Sequence, residues 1–403
     1  MVDLVRGLSG TEAAATLKVA RGMIQPALLT GRAALELVRQ VSRNGIAGSC
    51  QQADWLDAWH GAHSTEPAVA GLLRHGEPLF ALPLEVVRAK GMPVARYPGG
   101  RHANANFPVV ARTAGTIPSL EFKAMLRMAG RQLGVHALLL ERQLRELGGI
   151  ANPLLSLPHG DSPNIALALS LEGGFEQVLS RHNGKRRKKK FRNQQRRLEP
   201  QGGYVTVRAE TAADVDAMLG AFFAMKVDRF AQAGIEDVFA AQEVKLFFAR
   251  LFVASLEAGD GRFELNAIRV GEVFAAVTGS SVLDERMTVE FGAIDSAFDF
   301  ASPGDLLFYL SIEDACARGL RHFDFGVGDE IYKRNWCEIE TAHFDNAIAL
   351  SPLGSALAMA FHARARAVRF VKGNPRLWAL VKAVRAGKAT EKTTAAPSSD
   401  DAN

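Results

Sequence analysis

The sequence predicts a mixed α/β (α+β) protein of two tandem domains, each a mixed, mostly antiparallel sheet flanked by helices, with a basic helical tail. The 403 residues are too many for one ordinary core and comfortable for two. Hydrophobic periodicity alternates between the helical and strand periods in the same order twice along the chain. A composition of 48% hydrophobic and 23% charged residues is ordinary for a globular protein and fits neither collagen-like, disordered nor disulfide-rich classes.

The first domain is predicted over residues 35–172, after a loosely helical extension at residues 1–34. Its predicted helices are residues 33–41, 53–60 and 120–133, and its predicted strands are residues 68–73, 79–87, 135–140 and 165–169. The turn at residues 75–78, His-Gly-Glu-Pro, separates the first two of these strands, so they are expected to form a hairpin.

The second domain is predicted over residues 173–350 and repeats the order of helices, three-strand antiparallel meander, helix and strand. Its predicted helices are residues 174–198, 212–231, 241–258 and 305–317, and its predicted strands are residues 262–270, 272–282, 286–294 and 322–325. Residue identity between the two halves is low, but the shared order indicates an internal structural duplication.

A basic tail follows, with no Asp or Glu between Ala347 and Thr390. Residues 351–389 are predicted to form two basic amphipathic helices, broken at the Gly-Asn-Pro sequence of residues 373–375. Residues 390–403 are rich in Ser, Thr, Pro, Asp and Ala, and are predicted to be disordered.

Basic side chains are also concentrated between Arg181 and Arg197, in a chain of formal net charge +5. Such a run suits an anionic membrane, a nucleic acid or a phosphorylated substrate, and the alternative is the solvated face of a long inter-domain helix. Phe191 is the one aromatic residue within it, which argues against stacking on single-stranded nucleic acid. We therefore expect an anionic membrane surface as the partner of this run and of residues 355–390.

The three cysteines, Cys50, Cys316 and Cys337, are far apart and lack CxxC spacing. Neither a disulfide framework nor a metal site is expected, and a reducing cytoplasm is the predicted compartment. The first thirty residues do not have the pattern of a secretory signal, and no apolar run reaches the roughly 18–20 residues that span a bilayer. The expected location is cytoplasmic, or peripheral at the inner membrane.

The segment FDFGVGDEIYKRNW, residues 323–336, combines a strand, a glycine turn and clustered ionisable groups. Alternation places Phe323 and Phe325 on one face of the strand and Asp324 on the other. Gly326 and Gly328 allow a sharp turn or a close approach to a ligand. A polar set then follows: Asp329, Glu330, Tyr332, Lys333 and Arg334, closed by Trp336. This arrangement is typical of a pocket at a strand end, and the alternative is a solvated charged loop.

The GDExYKxxW stretch after an FDF strand resembles the signature of CelD-like acyltransferases, which are linked to cellulose and exopolysaccharide biosynthesis in bacteria. These are relatives of the GNAT enzymes and are similar in design to the FemAB aminoacyltransferases, with two tandem GNAT-like domains. The resemblance covers residues 35–350. Weaker matches are Trp55-Leu56-x-x-Trp59, the Leu-Pro-Leu strand at Leu79–Leu84, Arg101-His102-x-Asn104-x-Asn106 and Ser302-Pro303-Gly304.

The resemblance implies transfer of an acyl group from acyl-CoA, such as acetyl-CoA, to an amine or a sugar-derived hydroxyl. This chemistry needs a base for the nucleophile and an acid for the leaving thiolate. On the strand at residues 286–294, alternation puts Glu290 opposite Met287, Val289 and Phe291, and a lone carboxylate there is a candidate base. The alternative for Glu290 is an exposed strand face.

The other catalytic candidates lie in the GDExYKxxW stretch. Asp329 is the rival base, Tyr332 is the candidate acid, and Lys333 is a candidate for binding a phosphate or carboxylate. Packing under the turn is the alternative for Tyr332, and a surface ion pair is the alternative for Lys333.

The expected cofactor-binding residues are Ser302, Pro303, Gly304 and Gly328, with the first three opening a helix. A helix start offers free N–H groups and a positive dipole end to a pyrophosphate. Asp305 adds negative charge there, and the glycine-rich pyrophosphate loop of standard GNAT enzymes is missing. An ordinary capped helix start is therefore the alternative.

The acceptor is expected between the two halves, and its predicted contacts are His102, Asn104, Asn106, Arg334 and Trp336. A self-hydrogen-bonded Asn-rich turn is the alternative for residues 102–106. Two other functions remain open: a FemAB-like transferase that uses aminoacyl-tRNA, with the basic run on RNA, and a non-catalytic accessory protein of a polysaccharide synthase.

Overall fold

The computed structural model of the chain describes residues 24–374 together with residues 376 and 377. The strands are β1 (Ile24–Thr30), β2 (Gly45–Ile46), β3 (Ala68–Arg74), β4 (Glu77–Ala89), β5 (Met92–Arg96), β6 (Val109–Ala111), β7 (Ala137–Leu144), β8 (Glu146–Leu147), β9 (Ile150–Ala151), β10 (Gly160–Ser170), β11 (Val205–Arg208), β12 (Phe263–Val270), β13 (Val273–Leu283), β14 (Arg286–Ile294), β15 (His322–Val327) and β16 (Ile339–Ala349). The helices are α1 (Gly31–Arg43), α2 (Ala53–His63), α3 (Ser119–Leu133), α4 (Gly174–Arg181), α5 (Gly184–Leu198), α6 (Ala212–Ala233), α7 (Gln242–Ala258), α8 (Pro303–Ala317), α9 (Ile331–Arg334) and α10 (Pro352–Gly373).

One 14-stranded, mostly antiparallel sheet with helices on its faces runs through both halves, which confirms the predicted fold class. Strands β3, β4 and β5 form an antiparallel meander, α3 follows, and β7 then pairs parallel to β5. Strands β12, β13 and β14 form a second meander, α8 follows, and β15 pairs parallel to β14. The predicted repeat of elements is therefore a repeat of topology.

The last strand of each half lies beside a strand of the other half. Strand β10 pairs with β15 and β16, while β16 pairs with β7, so the order at the centre of the sheet is β7-β16-β10-β15. This exchange joins the halves through backbone hydrogen bonds. The proposed boundary at residue 173 falls between β10 and α4.

Strand β16 has no clear strand pattern in the sequence, because its buried residues are largely polar. His343, Asp345 and Asn346 are each at most 3% exposed. The Asn346 amide donates to the Pro158 carbonyl oxygen at 2.8 Å, and its Oδ1 accepts from the Gln143 side chain at 2.8 Å. The strand is thus stabilised by long-range polar contacts rather than by apolar alternation.

Two predictions about secondary structure are wrong. Residues 24–30, predicted as part of a helical extension, form strand β1, which pairs with β3 at the end of the sheet order. Pro26 disfavours a helix there and is tolerated in an edge strand, where one N–H can be lost. Residues 174–198, predicted as one helix, are broken into α4 and α5 at Asn183, whose φ is +58°. Residues 1–23 lie outside the described residues.

Helix α10 confirms the first of the two predicted tail helices. It begins at Pro352, where Ser351 caps the helix by accepting from the Gly354 N–H, and ends at Gly373. Leu357 and Ala358 are buried, and the helix packs on β16, β10 and β7. The second predicted tail helix, beyond residue 377, and the predicted disordered end lie outside the described residues. No helix among residues 24–374 is both long and apolar enough to cross a bilayer.

Candidate active site

Strands β14 and β15 separate after three parallel pairs, and a cleft opens between them. The pairing covers Arg286–Thr288 on β14 and His322–Asp324 on β15, and it stops there. Gly326 lies just beyond, with a φ of +72°, and a Cβ at this position would be 2.9 Å from the Val289 carbonyl oxygen. A residue with a side chain would therefore force the strands apart at the base of the cleft.

A cavity of about 520 Å³ fills this cleft. Its walls come from β13, β14, β15, α5, α6, the start of α8, α9 and, from the first half of the chain, Asn104. Its ionisable lining residues are Lys190, Lys226, Arg229, Glu290, Asp299, Asp305, Glu330, Tyr332 and Lys333. Three of the four predicted catalytic residues, Glu290, Tyr332 and Lys333, thus meet in one cavity.

Glu290 occupies a β-bulge on β14. Phe291 pairs with Gly279 and Val289 pairs with Ser280, so Glu290 has no cross-strand partner. A Cβ on Gly279 would lie 2.2 Å from the Phe291 ring, so only glycine accommodates that ring. Bulges of this kind turn a side chain out of the regular alternation, which here directs the carboxylate into the cavity.

The bulge also contradicts the predicted alternation of this strand. Met287 and Val289 pack into a core with Tyr309 of α8, whereas Phe291 packs against Phe222 of α6 on the opposite side of the sheet. The prediction that Val289 and Phe291 share a face is therefore wrong. The extra residue shifts the phase of the strand by one position.

The Glu290 carboxylate is held by two neutral donors. The Ser281 hydroxyl donates to Oε1 at 2.7 Å, and the Asn104 amide donates to Oε2 at 3.5 Å. Burial raises the pKa of Glu290 to about 7, against the smaller lowering effect of these two hydrogen bonds. A carboxylate with a pKa near neutrality is suited to accept a proton from a nucleophile and later release it.

The start of α8 faces the cavity through Ser302, Gly304 and Asp305, whereas Pro303 is buried. A Cβ on Gly304 would lie 2.8 Å from the Ile294 side chain, so glycine lets the helix start approach β14. Asp305 forms an ion pair with Lys190 of α5. Lys190 thus balances the negative charge of Asp305, and the positive end of the α8 dipole can still attract an anion.

Tyr332 and Lys333 stand on the short helix α9. The Tyr332 ring stacks on Phe308 at 5.7 Å between ring centroids, and burial raises the pKa of its phenol. Lys333 is 5% exposed; its Nζ donates to the Val327 carbonyl oxygen at 3.0 Å and pairs with Glu330 at 3.0 Å. The ammonium therefore holds the turn after β15 closed beside the cavity.

Other predicted residues do not line the cavity. Asp329 and Arg334 form an exposed ion pair with each other. Trp336 is 2% exposed, and the Arg187 guanidinium lies 3.4 Å from its ring centroid. Gly328 has a φ of +132° and permits the turn between β15 and α9. The structure places these four residues around the turn between β15 and α9, outside the cavity lining.

Of the three residues predicted in the first half, Asn104 alone reaches the cavity lining. His102 lies between the rings of Phe239 and Phe248, at 5.0 and 5.6 Å, and burial lowers its pKa to about 4. Asn106 is 2% exposed; its Oδ1 accepts from the Gln51 amide at 2.6 Å and its Nδ2 donates to the Glu141 carbonyl oxygen at 2.8 Å. His102 and Asn106 therefore hold the loop that presents Asn104.

Sequence reasoning missed two cations on α6, Lys226 and Arg229, and gave Lys190 no specific role. The Lys226 ammonium lies 5.5 Å from the centroids of Phe222 and Phe230, and burial lowers its pKa to about 8. The available signal was the position of Lys226 four residues after Phe222, because this spacing puts the lysine on the face of the helix that packs inward.

The basic run of residues 181–197 lies on α4 and α5, where some of its side chains are paired or packed and others form an exposed face. Lys188 pairs with Glu176, Lys190 pairs with Asp305, and Arg187 covers Trp336. The outer face of α5, with exposed side chains at helical spacing, carries Lys185, Lys189, Arg192 and Arg196. This set, called the α5 stripe from here on, is opposite the buried Gln194 and Leu198.

The comparisons with known proteins show a GNAT-type acyltransferase fold. Residues 185–334 match the family described as an acetyltransferase (GNAT) domain, a span that contains β12 to β15 and most of the residues that line the cavity. No curated protein matches the chain in sequence.

Several solved structures are similar to this chain at low sequence identity. A crystal structure of FemX gives a TM-score of 0.57 at 12% identity, covering 83% of this chain and 100% of that one. The C-terminal domain of a putative lysylphosphatidylglycerol synthetase from Agrobacterium fabrum gives 0.48 at 11% identity, covering 81% and 95%. A tandem GNAT protein from the clavulanic acid biosynthesis pathway gives 0.43 at 14% identity, covering 82% and 99%.

Proposed function

We propose that the protein is an acyltransferase that moves an acyl group from acyl-CoA to an amine or a sugar-derived hydroxyl. The observation that carries the proposal is the position of Glu290, a carboxylate on a bulge that opens into the cleft between two separating parallel strands. A base at the wall of a cleft of this kind can meet a nucleophile and a thioester together.

The chain's own residues fit a thioester with a phosphorylated carrier. The separated strands leave unpaired backbone groups of β14 toward the cavity, which suit an extended amide-containing chain. The start of α8, Lys226 and Arg229 offer positive charge at the cavity wall. Asp299 is the opposing charge there, because Asp305 is paired with Lys190. The donor therefore lies along β14 with its phosphates toward α8 and α6.

In the proposed reaction Glu290 takes the proton of the acceptor's amine or hydroxyl as that atom attacks the thioester carbonyl carbon. The C–S bond then breaks, and the leaving thiolate receives a proton from the Tyr332 phenol. Solvent at the cavity mouth returns a proton to Tyr332 and removes the one held by Glu290. Lys333 keeps the turn that carries Tyr332 in place.

The acceptor class comes from the resemblance of GDExYKxxW to the CelD-like enzymes, so we propose an amine or sugar-derived acceptor of exopolysaccharide, cellulose or envelope biosynthesis. Asn104 is the first-half residue at the cavity, and it supports an acceptor bound between the halves. The direct test is turnover: acetyl-CoA incubated with a panel of amino sugars and amino acids should release free thiol. A chain that neither binds nor turns over acyl-CoA but co-purifies with a polysaccharide synthase would instead be an accessory protein.

The second candidate function is transfer from aminoacyl-tRNA. It is supported by the fold shared with FemX and by the α5 stripe, which lies on the same helix as the cavity residue Lys190. If it is correct, tRNA should bind with an affinity that falls steeply as salt rises, because phosphate contacts release counterions. Binding of acetyl-CoA without tRNA binding would exclude it.

The affinity for acetyl-CoA is expected to fall as the pH rises from 7 to 9.5. The pKa of Lys226 is lowered to about 8, so its ammonium is present below that pH and lost above it. Losing one charge-assisted contact to a phosphate weakens binding by about tenfold or more. Calorimetric titration across this range measures the slope, and Lys226→Arg should remove it, because a guanidinium stays charged.

If the slope persists in Lys226→Arg, another group is responsible. Lys190 would be tested first, since burial also lowers its pKa. A dissociation constant that does not depend on pH in the wild type would place the phosphates elsewhere.

A further inference from the structure

We propose that the first half of the chain positions the base of the second half: Asn104, held by Arg142, and Ser281, held by Ser49, orient the Glu290 carboxylate and stabilise its charged form. This inference rests on the proposed function and adds a role for the first half. These are positioning residues, because they act through Glu290.

The first arm is the amide of Asn104. Arg142 Nη1 donates to Asn104 Oδ1 at 3.4 Å, so Oδ1 is the acceptor end of the amide, and Nδ2 is left to donate to Glu290 at 3.5 Å. The same guanidinium donates to the Arg101 carbonyl oxygen at 3.2 Å and to that of Gly100. It thereby fixes both the loop and the direction of the amide.

Arg142 is itself held in an unusual backbone conformation. Its φ is +54°, in the left-handed region that residues with a side chain rarely adopt. Its backbone N–H donates to Asp345 Oδ1 at 2.7 Å, on the neighbouring strand β16, where the register shifts. A chain of hydrogen bonds therefore links strand β16 to the base: Asp345 holds Arg142, Arg142 holds Asn104, and Asn104 donates to Glu290.

The second arm is a pair of hydroxyl groups. Ser281 is 1% exposed; its Oγ lies 2.7 Å from Glu290 Oε1 and 3.0 Å from the Ser49 hydroxyl of the first half. A hydroxyl has one proton to donate, so when Ser281 donates to the carboxylate it accepts from Ser49. Both arms thus present donors to the charged form of Glu290.

The ionisable groups that surround Glu290 do not replace these donors. Asp324 of β15 raises the pKa of Glu290, and Glu290 and Arg142 both act on the nearby Cys50. The other ionisable groups that line the cavity are Lys190, Lys226, Arg229, Asp299, Asp305, Glu330, Tyr332 and Lys333. Burial raises the pKa of the Cys50 thiol and keeps it neutral, and Asp324 pairs with Arg286 at 2.8 Å. Lys333 Nζ forms an ion pair with Glu330 Oε2 at 3.0 Å. Two neutral hydrogen-bond donors therefore oppose the effect of burial.

The test is the acidic limb of the pH profile of kcat/KM, measured by thiol release from acetyl-CoA. Ser281→Ala should move the midpoint of this limb upward by about one pH unit, since a donor to the charged form is lost. Ser281→Thr keeps the hydroxyl and should keep the wild-type midpoint. Asn104→Leu should shift the limb in the same direction as Ser281→Ala, and it carries the test if Ser281→Ala does not fold.

The outcomes separate this inference from the proposed function. A wild-type midpoint in both Ser281→Ala and Asn104→Leu, with activity still dependent on Glu290, overturns the positioning role and leaves the base in place. Wild-type activity in Glu290→Gln overturns the base itself. A loss of rate in Ser281→Ala and Ser281→Thr alike, with no change of the pH limb, indicates a packing role and also contradicts the inference.

A second, independent observation is an exposed apolar stripe on α10. Met359 and Phe370 are 68% and 69% exposed, and exposed alanines lie between them at helical spacing. Arg364 and Arg366 border the stripe on its two sides and are also exposed. We infer that the occupant of this stripe is the surface of an anionic bilayer, because apolar groups bordered by cations, without an acidic residue on the helix, complement such a surface.

Vesicles of phosphatidylcholine with and without phosphatidylglycerol test this surface. The full chain should co-sediment with the anionic vesicles, and Met359→Glu with Phe370→Glu should reduce the bound fraction severalfold. Leu246→Glu, which changes an exposed leucine of α7, is the matched control and should bind like the wild type. Equal binding by wild type and the double variant, no binding by either, or conversion of a dimer to a monomer in the double variant would each overturn the assignment.

Discussion

Replacing Glu290 by Gln is expected to lower kcat for acyl transfer by about 10²- to 10⁴-fold, the range that a positioned general base contributes. Glutamine has nearly the same shape and keeps an acceptor oxygen for the Ser281 hydroxyl, so the cavity is preserved. The acidic limb of the wild-type profile should lie near the pKa of Glu290, about 7, and should be absent from the residual activity of the variant. Initial rates of thiol release from acetyl-CoA across pH 5.5–9 measure both.

The same variant should be more stable than the wild type at pH 8. The native state holds the Glu290 proton more tightly than the unfolded chain, because burial raises the folded pKa above the ordinary carboxyl value of 4.5. Stability therefore falls as the pH rises from that value to about 7, and Gln removes this penalty. Urea unfolding at pH 5 and pH 8 measures the difference.

Two further variants test this prediction, one as a control and one to distinguish the two candidate bases. Glu243→Gln, at an exposed position of α7, is the matched control and should keep wild-type rates and stability. Asp329→Asn separates the rival bases: a large loss in Asp329→Asn together with normal turnover in Glu290→Gln would mean that the base has been assigned to the wrong carboxylate. The exposed pair of Asp329 with Arg334 argues against that result.

Replacing Gly292 by Leu is expected to weaken acetyl-CoA binding by about 10- to 100-fold. Gly292 pairs with Thr278 across β14 and β13, and both residues line the cavity. A Cβ at Gly292 would lie 3.2 Å from the Thr278 methyl group, so the longer side chain must extend into the cleft. In the complex the leucine would overlap the bound donor. Inserting atoms into a filled space costs roughly 1–3 kcal/mol, and each 1.4 kcal/mol is about a factor of ten in affinity.

Gly220→Leu is the matched control, because a Cβ at this exposed position of α6 meets nothing within 4 Å. Its thermal stability should equal or exceed that of the wild type, since leucine favours a helix more than glycine does. Its acetyl-CoA affinity should equal that of the wild type. Calorimetry on both variants, with thermal unfolding as the check on folding, decides the point. Unchanged affinity in a folded Gly292→Leu protein would place the donor outside this cavity.

The order of elements was available from the sequence because it depends on local periodicity. The three-strand meander at residues 262–294 and helices α6, α7 and α8 show clear strand and helical periods, and glycine or proline marks their ends. The cleft was also indicated in part, because Gly326 and the polar residues after it follow a buried strand. Tyr332 and Lys333 were found in this way.

Contacts between residues that are far apart in the chain could not be predicted from the sequence. The bulge at Glu290 depends on a register shift opposite Gly279, and the pattern of β14 alone predicts regular alternation. Strand β16 was missed because its buried polar residues are satisfied by groups as far away as Gln143. Asp329 was predicted as the rival base, and the sequence does not reveal that it forms an exposed ion pair with Arg334.

The sequence by itself therefore determined the fold class, the repeated order of elements and the strand-end motif of residues 323–336. These follow from short-range periodicity and from backbone freedom at glycine. The tertiary structure alone decided that Glu290 enters a cavity, that Asn104 and Ser281 face it, and that Lys226 shares the same wall. The reason is physical: burial, register and the pKa of a carboxyl group depend on contacts between segments that the chain brings together only when it folds.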